Sequence, residues 1–244
     1  MKNPIHIFKS CGKRANQTSL LAFTLVELIV AVSVIIVLVA ILLGAIGKAR
    51  ERADLAGSTS NLRSIGSAIS LYVNDNQGDL PGPLARGQWA VYGLGSQSLL
   101  YHIGEYMGFG PRPETPEETR FMAAFACPGW IRNVSSEALR ADNPTVVWWL
   151  SMEAVTTDSP SRPPWGEITS TNATRRTPVK HMNIVEPARQ MAMQTVDAEI
   201  GPWERIPEKP VFGDVRNRLF FDWSVGTVPV EAGTEVFWPV RSSL

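Results

Sequence analysis

At 244 residues, 44% apolar and 19% charged, the chain is too hydrophobic to stay disordered and long enough for one membrane segment plus one globular domain with its own core. Its formal net charge is zero, with no basic stripe interleaved with aromatics, so nothing points to binding along a phosphate backbone and no nucleic-acid contact is expected. The two cysteines, Cys11 and Cys127, do not make a disulfide scaffold, and the three histidines, His6, His102 and His181, show no zinc-ligand spacing with either of them.

Residues 1 to 22 are polar and basic, carrying Lys2, Lys9, Lys13 and Arg14 with no acidic residue. The rest of the chain is therefore net acidic. From Phe23 to Leu43 the only charge is Glu27. At helical rise this run spans about 32 Å, enough for a hydrocarbon core of about 30 Å. No apolar stretch of signal-peptide length precedes it, and Gly47-Lys48-Ala49-Arg50-Glu51-Arg52 behind it does not fit a secretory cleavage site. On composition alone the segment reads as an uncleaved signal anchor.

The residues at its head point to a sharper reading. Ala22-Phe23-Thr24-Leu25-Val26-Glu27 resembles the prepilin signal of type IV pilins and type II secretion pseudopilins, in which a peptidase cuts on the cytoplasmic side, before the hydrophobic helix. The family usually has Gly before the cut; here Ala22 stands there. The resemblance implies cleavage between Ala22 and Phe23, N-methylation of Phe23, and an assembly role for Glu27. Its carboxylate would meet the new amino group of Phe23 on a neighbouring subunit and set the register between helices. The implied partners are a prepilin peptidase/methylase, other pilin-like subunits and the inner membrane. The implied location is single-pass in the inner membrane with the C-terminal domain on the periplasmic side. A carboxylate in a membrane segment is costly and is normally kept for a role, which agrees with that implication.

Beyond Ile46 the helical pattern continues but becomes one-sided, with Leu55, Leu62, Ile65, Ile69, Tyr72 and Val73 at helical spacings and Lys48, Arg50, Glu51, Arg52, Asp54, Asn61 and Arg63 on other faces. The expected end is Asn76-Gln77-Gly78-Asp79 before Pro81, with Gly78 as the cap. The expected organisation is thus a leader (1–22), a transmembrane helix (23–46), its amphipathic continuation (47–79) and a globular domain (80–244).

Within that domain, 81–116 reads as a long surface connection with a short helix at Gln97–Met107, and Glu117–Phe125 as another short helix. Cys127, before Pro128-Gly129, is expected to be a buried structural thiol. Strands are expected at Thr145–Leu150, Gln190–Asp197, Arg218–Trp223, Val225–Val230 and Glu235–Val240, the third and fourth forming a hairpin across Asp222-Trp223-Ser224. Polar, proline-bearing 156–178 reads as an exposed loop. Helix early and strands late give an α+β fold, a long N-terminal helix packed on an antiparallel sheet.

Two further stretches resemble a large pilin-like subgroup. Asn61-Leu62-Arg63-Ser64-Ile65-Gly66 with Leu71-Tyr72-Val73-Asn74-Asp75-Asn76-Gln77-Gly78 is similar to its helix ending, and Glu186-Pro187-Ala188-Arg189 to its approach to a strand. Arg216–Val225 is similar to its C-terminal segment, although the His and the Gly after Asp of that segment are absent here.

Asp197 and Asp222 are read as capping or turn residues, since neither lies in a loop dense enough in oxygen ligands for calcium. Trp89, Trp165 and Trp203 are read as closing the core beneath long loops. No Gly-x-Ser-x-Gly, His-Glu-x-x-His or Walker loop is present, so no enzyme chemistry and no cofactor are expected. The functional expectation is a pilin-like structural subunit. The alternative is a signal-anchored extracytoplasmic binding or enzymatic domain.

Overall fold

The computed structural model describes residues 24–93, 95–201 and 203–232. The chain divides into two compact units, the first ending at Ile46 and the second beginning at Gly47. Helix α1, Leu25–Asp75, supplies the described part of the first unit and opens the second. In chain order there follow β1 (Gly87–Trp89), β2 (Val91–Tyr92), α2 (Leu99–Ile103), β3 (Arg120–Phe121), α3 (Pro128–Arg132), β4 (Val146–Leu150), β5 (Ala154–Thr156), β6 (Ser159–Arg162), α4 (Ala173–Arg176), β7 (Met191–Thr195), β8 (Val215–Phe220) and β9 (Val225–Pro229). The fold is α+β, and its main sheet has the order β1-β4-β7-β8-β9 with every pairing antiparallel.

The amphipathic stripe of α1 does what its spacing requires. Leu62, Ile65 and Ile69 are fully buried among Trp130, Val147, Trp148 and Leu219, while Arg63, Ser64 and Ser67 remain exposed. Alternation along β8 turns Asn217 and Leu219 toward the helix. The Asn217 amide donates to Ser58 Oγ (3.2 Å) and Thr59 Oγ1 (3.0 Å). Close approach is possible because residue 66 is glycine: a Cβ there would lie 3.1 Å from Leu219 Cδ1 and 3.2 Å from Trp223 Cβ. The helix ends as a Schellman turn, with Gln77 in the left-handed region (φ 56°) and the Gly78 N–H donating to the Val73 carbonyl at 2.9 Å. Gly78 follows Gln77, also at positive φ (87°).

The expected strands at Thr145–Leu150, Gln190–Asp197 and Val225–Val230 are present as β4, β7 and β9. The strand expected at Arg218–Trp223 lies three residues earlier. Phe221–Ser224 form the hairpin turn, where Trp223 takes φ 67° and Asp222 Oδ1 accepts from Ser224 N at 2.9 Å and Ser224 Oγ at 2.6 Å. Glu235–Val240 lies outside the described residues.

Three expectations fail, each because a tertiary partner overrides a local polar or helical pattern. The 81–116 connection is not superficial: it contains β1 and β2 and buries Leu84, Val91, Tyr92, Leu99, Leu100 and Ile103. Its helix is shorter than expected and stops at Ile103, where Gly104 lies against the Tyr92 ring. Glu117–Phe125 is not one helix, because Arg120–Phe121 pair with β2, leaving single 3-10 turns at Pro116–Glu118 and Ala123–Phe125. The 156–178 stretch is not a plain exposed loop either. It completes the β5–β6 hairpin, closed where Thr156 Oγ1 donates to Asp158 (2.7 Å), and it carries α4 and a fully buried Trp165 packed 5.4 Å from the Phe221 ring.

Candidate functional site

The head of α1 is built from Thr24-Leu25-Val26-Glu27. Thr24 precedes the first helical residue, and Glu27 is in the first turn. The Glu27 N–H donates to Thr24 Oγ1 (3.2 Å), while Glu27 Oε2 accepts both the Thr24 N–H (2.8 Å) and the Thr24 hydroxyl (2.9 Å). This reciprocal arrangement is a capping box, in which two otherwise unsatisfied backbone donors are covered by side chains. The carboxylate also lies at the positive end of the helix dipole. Sequence reasoning singled out Glu27 but passed over Thr24, although Thr-x-x-Glu opening an apolar run is the signature of such a box. Ala22 and Phe23, the expected cleavage pair, lie outside the described residues.

Behind this box, every described side chain from Leu25 to Ile46 is exposed; Leu25 is 73% and Ile41 68% accessible. One polar side chain interrupts the run, and the Ser33 hydroxyl is satisfied by donating to the Ile29 carbonyl at 2.8 Å. The surface is thus uniformly apolar, and α1 is one helix long and apolar enough to cross a membrane.

A second polar cluster lies inside the globular unit. Arg216, fully buried on β8, donates from Nε to Asp197 Oδ2 (2.8 Å), from Nη2 to Asp197 Oδ1 (2.9 Å) and Glu199 Oε2 (2.8 Å), and from Nη1 to the Val230 carbonyl (2.7 Å). Asp197 also accepts the Glu199 N–H at 3.0 Å, the turn role expected of it. Its ion pair went unforeseen, because nothing local signals that an arginine nineteen positions later shares its interior. Next along the face, Arg218 Nε donates to Gln194 Oε1 at 2.9 Å. The Arg216 contacts join β8 to the segments that follow β7 and β9, and the Arg218–Gln194 bond joins β8 to β7.

Cys127 is fully buried, and burial pushes its thiol up from the ordinary range, as suits a structural residue. Trp165 is buried, and Trp203 is half-buried with its ring 5.0 Å from that of Trp149. One cleft, about 620 Å³, is open and lined by Asn133, Ser135, Arg205, Glu208 and Lys209, and among the described residues no nucleophile and base are hydrogen-bonded in it. Among the described residues no three His, Cys, Asp or Glu side chains are grouped to hold a metal.

Compared with protein-family models, curated proteins and solved structures, the chain finds no match.

Proposed function

We propose that the chain is a pilin-like structural subunit, a pseudopilin of a type II secretion or type IV pilus-like system. A prepilin peptidase cuts between Ala22 and Phe23, Phe23 is N-methylated, and the subunit rests in the inner membrane with its globular domain on the periplasmic side until it joins a filament through α1. There is no active site in this mechanism. Burial of the apolar half of α1 between subunits drives assembly, and Glu27 sets the register by meeting the amino group of a neighbouring Phe23.

One observation carries the reading: an apolar helical surface, exposed along its whole described length, that holds a single carboxylate and keeps it at the head of the helix. The capping box fits this role. It holds the Glu27 carboxylate against the first amide after Phe23, so the anion already faces the end at which a new amino group would appear. Mass spectrometry of the N-terminus of membrane-extracted protein tests the proposal. Methylated Phe23 is expected; an intact Met1 in cells with active prepilin peptidase refutes it.

The second reading, a signal-anchored extracytoplasmic binding or enzymatic domain, is favoured by the same box in one respect: Glu27 is satisfied within its own chain and needs no neighbour. Replacing Glu27 separates the two, as developed below.

A further inference from the structure

Immediately after the apolar run, Lys48, Arg50 and Arg52 are exposed on alternate positions of α1, and none makes an ion pair among the described residues. Lys48 and Arg52, one turn apart, line an open cleft of about 220 Å³ with Glu51, Leu55 and the Phe212 ring. On the neighbouring face Arg50 and Glu51 line a second cleft with Arg132 at the end of α3, together with Gly47, Val211 and Gly213. Cations from two distant stretches of sequence therefore converge at the start of the second unit. Glu51 is the one opposing charge within 48–52, and Arg132 is partnered by Asp54.

Depth in the bilayer gives this cluster a partner. The headgroup layer is about 5–8 Å thick on each side of the hydrocarbon core, and a helix rises about 1.5 Å per residue. Positions 48 to 52 begin two residues after Ile46, so they traverse that layer when the apolar run fills the core. We propose that Lys48, Arg50 and Arg52 form a cationic collar that binds the phosphate groups of anionic phospholipids and fixes the depth at which α1 sits. The open cleft between Lys48 and Arg52 seats the phosphodiester. The collar rests on the membrane-spanning reading of α1 and is independent of processing; a chain that keeps Met1 still tests it.

The experiment uses the full chain reconstituted into phosphatidylcholine vesicles with a minority of phosphatidylglycerol, and electron spin resonance of spin-labelled lipids measures the preference for phosphatidylglycerol at the protein boundary. Neutralising one collar cation is expected to lower that preference by about fivefold, the equivalent of about 1 kcal/mol. All variants share the same N-terminal segment, so differences between them report the collar alone. The triple variant Lys48→Gln, Arg50→Gln, Arg52→Gln should lose the collar's share of the preference, while Lys48→Arg with Arg50→Lys and Arg52→Lys keeps it. Arg63→Gln, another exposed cation of α1, should leave it unchanged. Three results overturn the collar: a triple variant that retains the full preference, a charge-conserving variant that loses it, or inorganic phosphate abolishing it at an ionic strength where chloride does not. The last identifies a free-anion site instead of a lipid site.

Discussion

The Arg216–Asp197 pair is where a single atom change should have the largest structural effect. Both side chains are almost wholly buried, 2% and 1% exposed, whereas the third member, Glu199, is 50% exposed. Asp197→Asn keeps the shape but removes the charge facing two guanidinium N–H groups, leaving a buried cation supported by one half-solvated carboxylate. Breaking a buried pair from one side costs about 3–5 kcal/mol. Because Glu199 remains at 2.8 Å from Nη2, the lower end applies, about 3 kcal/mol. In a domain of this size that lowers the melting temperature by about 6–12 °C. Glu199→Gln, at the solvated edge, should cost about 1 kcal/mol or less. The double variant Asp197→Asn, Arg216→Met removes the stranded charge; it should recover part of the loss, limited by the Val230 carbonyl, which forfeits its donor at a cost of about 1–3 kcal/mol. Guanidinium denaturation of the full chain in detergent, followed by tryptophan fluorescence, measures all three. The reasoning is refuted if Asp197→Asn costs no more than Glu199→Gln, or if the double variant is no more stable than Asp197→Asn alone.

The remaining predictions follow from other parts of the molecule. Glu27→Ala should yield a cleaved, membrane-held chain that fails to enter filaments, and normal incorporation in a sheared-filament assay would count against the register role; Thr24→Ala, which loosens the capping box but keeps the carboxylate, should reduce incorporation less. His102, whose pKa is lowered chiefly by burial, with the Ser96 carbonyl opposing and Arg112 adding to the shift, binds protons less readily when folded than when unfolded. The domain should therefore keep full stability above the ordinary histidine value of 6.5 and lose it as pH falls below that value, with a slope of at most about 1.4 kcal/mol per pH unit. His102→Gln should flatten that part of the curve; an unchanged slope would remove His102 as its source. Gly66→Val should destabilise by about 1–3 kcal/mol through overpacking against Leu219 and Trp223, measured by the same denaturation.

Periodicity carries a great deal of this structure. The long helix, its change from uniformly apolar to one-sided, its end at Asp75, and the strands β4, β7 and β9 all follow from apolar spacing and turn residues, because each is set by contacts or propensities within a few positions. The head of α1 was equally readable: Thr24 and Glu27 stand at capping-box spacing, and the geometry between them is local.

What the sequence concealed depends on partners far away along the chain. Arg216, Asn217 and Arg218 look like surface residues and are instead the centre of β8, because Asp197, Gln194 and the α1 hydroxyls of Ser58 and Thr59 compensate their burial. The β5–β6 hairpin and the buried Trp165 lie in a polar, proline-rich stretch whose order comes from the surfaces it meets, and Arg132 lines a cleft with Arg50 only because the fold returns residue 132 to the middle of α1. Local spacing fixes which segments are helix or strand, since those bonds close within a few residues; which polar groups are buried is decided by tertiary structure, since a charge enters the interior only where a distant segment supplies its counterpart.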